Sequence, residues 1–260
     1  MPDREGQGPT DLEGGLTEVL SRAKGASERA QKTKRVVRTQ RGPTTKQTRR
    51  EMREHLQRVQ RDAVPRRFQW ATVDGPASET LASRVAGGRG AVERARAFAG
   101  GDLLLVGPSG AGKTSLACGV VNALIERCLL AIDSLDDDST QFEPRRVLRA
   151  TYRLVRRAWF ATGYQLAKAS QHTPLGQEPE LVRRATMSTL LVLDDLGTDT
   201  HSLEKHASVV GEVIHERHQR ALPTIITTYM LRRDIIAHYG DGIARRIGES
   251  PTLVLEPEAT

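Results

Sequence analysis

The 260-residue chain is long enough for one α/β domain plus an appendage, and its basic residues outnumber its acids for a formal net charge of +7. That balance favours acidic partners, nucleic acid first. The polar start Met1-Pro2-Asp3-Arg4-Glu5-Gly6 excludes an apolar leader core, no run of about 18 apolar residues offers a membrane span, and Cys118 and Cys128 lack metal or redox spacing, so a cytoplasmic protein with reduced thiols is expected.

Residues 1–20 are rich in Gly, Pro and acids, have little to bury, and read as disordered. From Ser21 to Arg61 the lysines and arginines are opposed only by Glu28, Glu51 and Glu54. Gly42-Pro43 breaks this basic arm; after it Met52, Leu56 and Val59 recur at helical spacing, so Thr48–Arg61 is expected as a basic amphipathic helix. Such an arm either meets a phosphate backbone or an acidic partner, or is simply solvated. Phe68 and Trp70 mark the start of the folded domain, which is expected to run from residue 66 to 260 after an arm of residues 1–65. Gly87-Gly88-Arg89-Gly90 reads as a helix stop, followed by a short helix over Ala91–Ala99.

The apolar run Leu103–Val106 leads into Gly107-Pro108-Ser109-Gly110-Ala111-Gly112-Lys113-Thr114, and Ser115-Leu116-Ala117 opens a helical pattern. Gly, four residues, then Gly-Lys-Thr between a strand and a helix is the Walker A phosphate loop. Its backbone N–H groups and the helix dipole face a phosphate chain, Lys113 reaches the β- and γ-phosphates, and the Thr114 hydroxyl ligates Mg²⁺. The following helix is expected to end near Arg127, with an exposed acidic insertion over Ile132–Thr140. Pro144–Arg157 reads as a basic helix, either a second DNA-facing surface or an exposed face. A strand over Ala158–Thr162, a helix over Gln165–Ser170, a loop over His172–Pro179 and a short helix over Leu181–Met187 follow.

Leu190-Leu191-Val192-Leu193-Asp194-Asp195 is an apolar strand ending in two acids, as phosphoryl chemistry needs: Asp194 to hold Mg²⁺ and Asp195 to orient or deprotonate water. A long helix spans Ser202–Arg220, where His215 and His218 lie one turn apart without an evident third metal ligand. Pro223–Tyr229 reads as a buried strand and Thr252–Leu255 as the last one. Strands alternating with helices imply a parallel sheet covered by helices.

The order of these segments, Gly107–Thr114, Leu190–Gly197, Pro223–Tyr229 and Tyr239–Ile247, resembles the DnaC/IstB-like branch of the AAA+ ATPases over residues 66–260. The resemblance implies an α/β P-loop NTPase without a C-terminal lid, acting on ATP and Mg²⁺. Gly107, Pro108, Ser109, Gly110, Ala111, Gly112, Lys113, Thr114 and Ser115 would hold the nucleotide, with Thr114 and Asp194 on the metal. Lys113, Asp195 and Thr228 would be catalytic, and Arg246 would be the finger that reaches a neighbouring subunit's ATP, with Arg245 in place of the family's Ser. Family members usually end the sensor strand in Asn; here the residue is Tyr229, with Thr227 or Thr228 as stand-ins. The implied partners are DNA, single-stranded above all, and either a replicative helicase or a transposase, with a homo-oligomer forming on DNA. A third reading is a DNA-bound scaffold that binds ATP with little turnover.

Overall fold

The computed structural model describes residues 45–135, 142–174, 177–197 and 203–257. The expectations for residues 1–20, for the arm up to residue 44 and for the insertion over 136–140 fall outside them. Helix α1 (Thr45–Ala63) lies within the expected arm, and its Leu56, Val59 and Ala63 are buried in the core formed with the residues that follow. Its Gln60 side chain also bonds Asn122 across to the helix after the phosphate loop, at 3.0 Å.

A five-stranded sheet with order β3-β4-β5-β2-β6 forms the centre. Its strands are β2 (Leu103–Val106), β3 (Ala158–Thr162), β4 (Leu190–Leu196), β5 (Thr224–Thr228) and β6 (Thr252–Val254), all paired in parallel. Parallel strands buried on both faces need continuous apolar runs, which β2 and β4 supply. Alternate side chains serve opposite layers. Leu103, Leu105, Leu190, Val192 and Ile225 join one core, while Leu104, Val106, Leu191, Leu193 and Ile226 join the other.

The first layer contains α1, α3 (Gly88–Arg96), α4 (Lys113–Asp133) and α5 (Phe142–Val155). The second contains α6 (Gly163–Gln171), α7 (Glu180–Met187), α8 (Leu203–Gln219), α9 (Arg232–Tyr239) and α10 (Asp241–Gly248). A short helix, α2 (Pro76–Arg84), and a two-residue strand, β1 (Val85–Ala86), precede α3, and β1 pairs antiparallel with β7 (Glu256–Pro257).

Two expected boundaries move. Gly88 opens α3 and does not stop a helix; the preceding helix already ends at Arg84. Helix α4 continues past Arg127 to Asp133, because Cys128, Ala131 and Ile132 extend its buried face. Among the described residues α4 is the helix long and apolar enough to cross a membrane, yet most of it is buried inside this core. Burial pushes the Cys118 and Cys128 thiols up to about 12, which leaves them protonated and unreactive at neutral pH.

Candidate active site

The phosphate loop sits at the C-terminal end of β2, where the sheet opens. Gly107 N–H donates to the Thr228 carbonyl at 3.0 Å, continuing the β2–β5 ladder into the loop. A Cβ on Gly107 would lie 2.3 Å from the Leu255 carbonyl oxygen, so only glycine passes this point. Gly112 has φ +83° and caps α4 without a side-chain bond, which leaves the first N–H groups of the helix for an anion. Lys113 is buried, and its Nζ donates to the Gly107 and Pro108 carbonyls at 2.7 and 2.8 Å. Burial lowers its affinity for the proton, and Asp195 and then Asp194 oppose that shift.

Asp194 is wholly buried. Its Oδ1 accepts from the Thr114 hydroxyl at 2.8 Å and from the Thr227 hydroxyl at 2.7 Å. Its Oδ2 is buried without a hydrogen-bond partner. Burial raises the pKa of this carboxyl, against the lowering effect of the two hydroxyls. An orphaned carboxylate oxygen beside a threonine hydroxyl is a hard-oxygen pair of the kind Mg²⁺ takes, so the residues present fit that ion.

Asp195 reaches the cavity through a β-bulge. Leu193 pairs with Ile226 and Leu196 with Thr228, so Asp194 and Asp195 together oppose the single residue Thr227. Asp195 has φ +53°, a left-handed conformation unusual for a residue with a Cβ. Thr227 holds the distortion from both sides: its oxygen accepts the Asp195 N–H at 2.9 Å while its proton goes to Asp194. Two consecutive acids thereby serve one site, where regular pleating would send them to opposite faces.

The surrounding cavity measures about 890 Å³. The phosphate loop lines it together with Asp195, Tyr229, Leu231, Arg67, Phe68, Val254 and Leu255. Phe68 therefore faces the cavity, with the Arg67 guanidinium 4.6 Å above its ring. Trp70 does not; it is 60% exposed.

Three other expected positions fall as follows. Thr228 is turned away from the cavity: its hydroxyl donates to the Leu196 carbonyl at 2.7 Å and accepts from Met230 N–H at 3.0 Å. Thr227, the other expected stand-in, is the residue whose hydroxyl meets Asp194 and the Asp195 N–H, because successive residues of β5 face opposite layers. Tyr229 lies at the rim and donates its phenol proton to the Gly197 carbonyl at 2.7 Å. Arg246 does not line the phosphate-loop cavity; its guanidinium donates to the Gly242 carbonyl at 2.9 Å beside a separate hollow of α8, α9 and α10. His215 and His218 engage Gln219 and Glu249 at 2.8 and 2.9 Å.

Replacing Thr227 with valine keeps the volume and removes both bonds. Nucleotide affinity is expected to stay within a few-fold, while turnover falls by about 10²-fold, in the range seen when one positioned donor is lost. Thr228→Val is expected to lower stability by about 1–3 kcal/mol with turnover largely kept. Equal turnover of the two variants in a steady-state phosphate-release assay sinks the assignment to Thr227.

No protein-family model matches the chain, and no curated protein matches it. Solved structures do. The crystal structure of the DnaC helicase loader aligns with a TM-score of 0.53 and 21% identity, covering 73% of this chain and 99% of that one. The crystal structure of DnaI aligns at 0.46 and 17% identity over 76% of this chain and 93% of that one. AMPPCP-bound DnaA from Aquifex aeolicus aligns at 0.47 and 14% identity over 72% and 50%. The likeness to the DnaC helicase loader shows the fold: a parallel five-stranded sheet flanked by helices, shared with that structure.

Proposed function

We propose that this chain of DnaC-like AAA+ fold is a Mg²⁺-dependent ATPase of the helicase-loader type, cytoplasmic, working in DNA replication as a homo-oligomer on DNA. One observation carries the chemistry: Asp194, buried and shared between Thr114 and Thr227, keeps an unpartnered oxygen while Asp195 is bent into the phosphate-loop cavity beside it. Mg²⁺ would be held by Thr114 and Asp194 and would neutralise charge on the β- and γ-phosphates. Lys113 and the first N–H groups of α4 bind the phosphates. Asp195 orients or deprotonates the attacking water, and Thr227 keeps the two acids in their separate orientations.

Loader over transposase partner is favoured by the fold shared with a helicase loader. The direct test is ATP turnover by the purified chain with and without single-stranded DNA, and co-purification with the replicative helicase. Turnover at background under both conditions would favour an ATP-binding scaffold.

The position of Arg246 outside its own cavity supports action on a neighbour. Arg246→Ala is expected to bind ATP normally and to lose about 10³–10⁵-fold in turnover, the range an arginine finger supplies. Mixing it with a Lys113→Ala protein is expected to restore part of the rate, because some interfaces then pair an intact loop with an intact finger. Arg245, exposed on the same helix, is the control. Absence of rescue in the mixture removes the finger role.

A further inference from the structure

A second concentration of chemistry lies at the far end of the sheet from the phosphate loop, where β3 and β4 begin. Two hollows open there, of about 480 and 580 Å³. Helix α1 borders both, and Arg156 lines both. Arg145, Arg149 and Arg153 on α5 and Arg156 in the turn just past its end follow one another at intervals of four, four and three residues, so they form one stripe. The stripe flanks the buried side of α5, where Leu148, Thr151 and Val155 meet the core. Arg157 and, from α1, Arg58 add to the walls of the first hollow, which Asp62 and the Glu180–Arg183–Arg184 ion-pair group also line.

All six arginines are exposed, and among the described residues none has a carboxylate within ion-pair distance. Like charges at i, i+4 cost a helix a few tenths of a kcal/mol each, and Asp62 and Glu180 in the first hollow are the nearby acids, outside ion-pair distance of the six. An external anion offsets that cost. Every cation of the stripe is a guanidinium, the group that matches phosphate geometry in a bidentate manner. The stripe is about 17 Å long at 1.5 Å per residue, the length of about five phosphates on one strand.

The hollows also contain aromatic side chains. Tyr152 forms part of one, 6.0 Å from the His55 ring, and Trp159 forms part of the other beneath the Arg184 guanidinium at 4.9 Å. Part-exposed aromatic groups beside a row of arginines are the equipment for a strand whose bases are unpaired; a duplex keeps its bases inside. We propose that the α1–α5 groove, with the arginines that open β3, is a binding track for single-stranded nucleic acid, separate from the nucleotide site. It deepens the DNA part of the proposed function and is independent of ATP turnover.

The test uses the full chain and a fluorescein-labelled 20-mer oligothymidylate, with anisotropy read over a range of salt. Arg149→Glu with Arg153→Glu is expected to weaken binding at least tenfold at 100 mM salt and to flatten the log–log salt dependence by about 1.4, since each phosphate contact on a single strand contributes about 0.7. Arg149→Gln with Arg153→Gln is expected to flatten the slope similarly with a smaller loss of affinity. Both pairs are exposed, so basal ATPase and the melting temperature report an intact fold. In a Trp70→Phe protein, emission from Trp159 is expected to change on oligonucleotide binding. Unchanged affinity and slope in both pairs, or equal competition by duplex DNA or by polyglutamate, overturns the assignment. If the wild type binds no oligonucleotide at all, the DNA reading itself fails; if it binds and the pairs do not differ from it, only the groove does.

Discussion

Lys113→Ala is expected to leave a folded protein with ATP turnover at background and nucleotide affinity reduced. Its ammonium sits where α4 begins, held by the Gly107 and Pro108 carbonyls, and among the described residues Arg67 is the other cation that lines the cavity. Loss of one positioned donor to developing charge costs about 10²–10³-fold in rate. Loss of a full charge in a part-desolvated site lies at or beyond the upper end. Stability should change little, because a buried cation already costs solvation, as the lowered proton affinity of Lys113 records. Lys113→Arg keeps the charge but brings a wider head into a buried space, and is expected to be nearly as inactive. Phosphate release at saturating Mg·ATP, with nucleotide titration alongside, checks both. A Lys113→Ala protein with wild-type turnover removes the phosphate-loop assignment.

Arg217→Ala is expected to cost about 3–5 kcal/mol, the penalty for breaking a buried charged network. Arg217 is 1% exposed. Its Nη1 donates to the Ala185 and Ser188 carbonyls, both at 2.8 Å, and to the Ser188 hydroxyl at 2.9 Å. Its Nε donates to Thr224 Oγ1 at 2.9 Å, and Nη2 to the Pro223 carbonyl at 2.5 Å. One guanidinium thus joins the end of α7, the lead-in to β4 and the start of β5. Asp102 adds the start of β2 by accepting the Thr224 N–H at 2.8 Å. Burial pushes the pKa of Arg217 down to about 10, and Asp102 opposes the shift, so the charge persists at neutral pH. For a cooperative unit of this size each kcal/mol moves the midpoint by about 2–4 °C, so Tm should drop by about 6–20 °C. Arg217→Lys keeps the charge but not the fork and is expected to recover little. A melt of Arg217→Met that overlays the wild type would show that packing, and not the carbonyl network, holds this end of the sheet.

The parts of this protein that were legible in the sequence are those whose partners are close along the chain. The phosphate loop with its strand and helix, the acids ending β4, and the alternation of strands and helices are set by local periodicity and by glycine placement. Their chemistry follows from residue type, which is why Lys113, Thr114, Asp194 and Asp195 needed no structure to be singled out. The side-chain environment of each depends on residues far along the chain. Asp194 meets Thr114 across 80 residues and Thr227 across 33. Whether Thr227 or Thr228 faces the acids depends on the β4–β5 register, and a bulge of one residue changes the answer. Helix α1 reads as part of a basic arm because its charges outnumber its apolar residues, yet burial of Leu56, Val59 and Ala63 makes it part of the core. Arg217 carries no sequence signal: an arginine on a helix is an ordinary surface residue until the carbonyls of α7, the lead-in to β4 and the start of β5 converge on it. The arginines of α5 were visible as a basic stretch, but only packing against α1 and β3 set them beside Tyr152 and Trp159. Local sequence determines which groups are present and which face of an element they occupy; the tertiary structure decides what stands opposite, because register and packing are settled by burial of the whole sheet and not by any one segment.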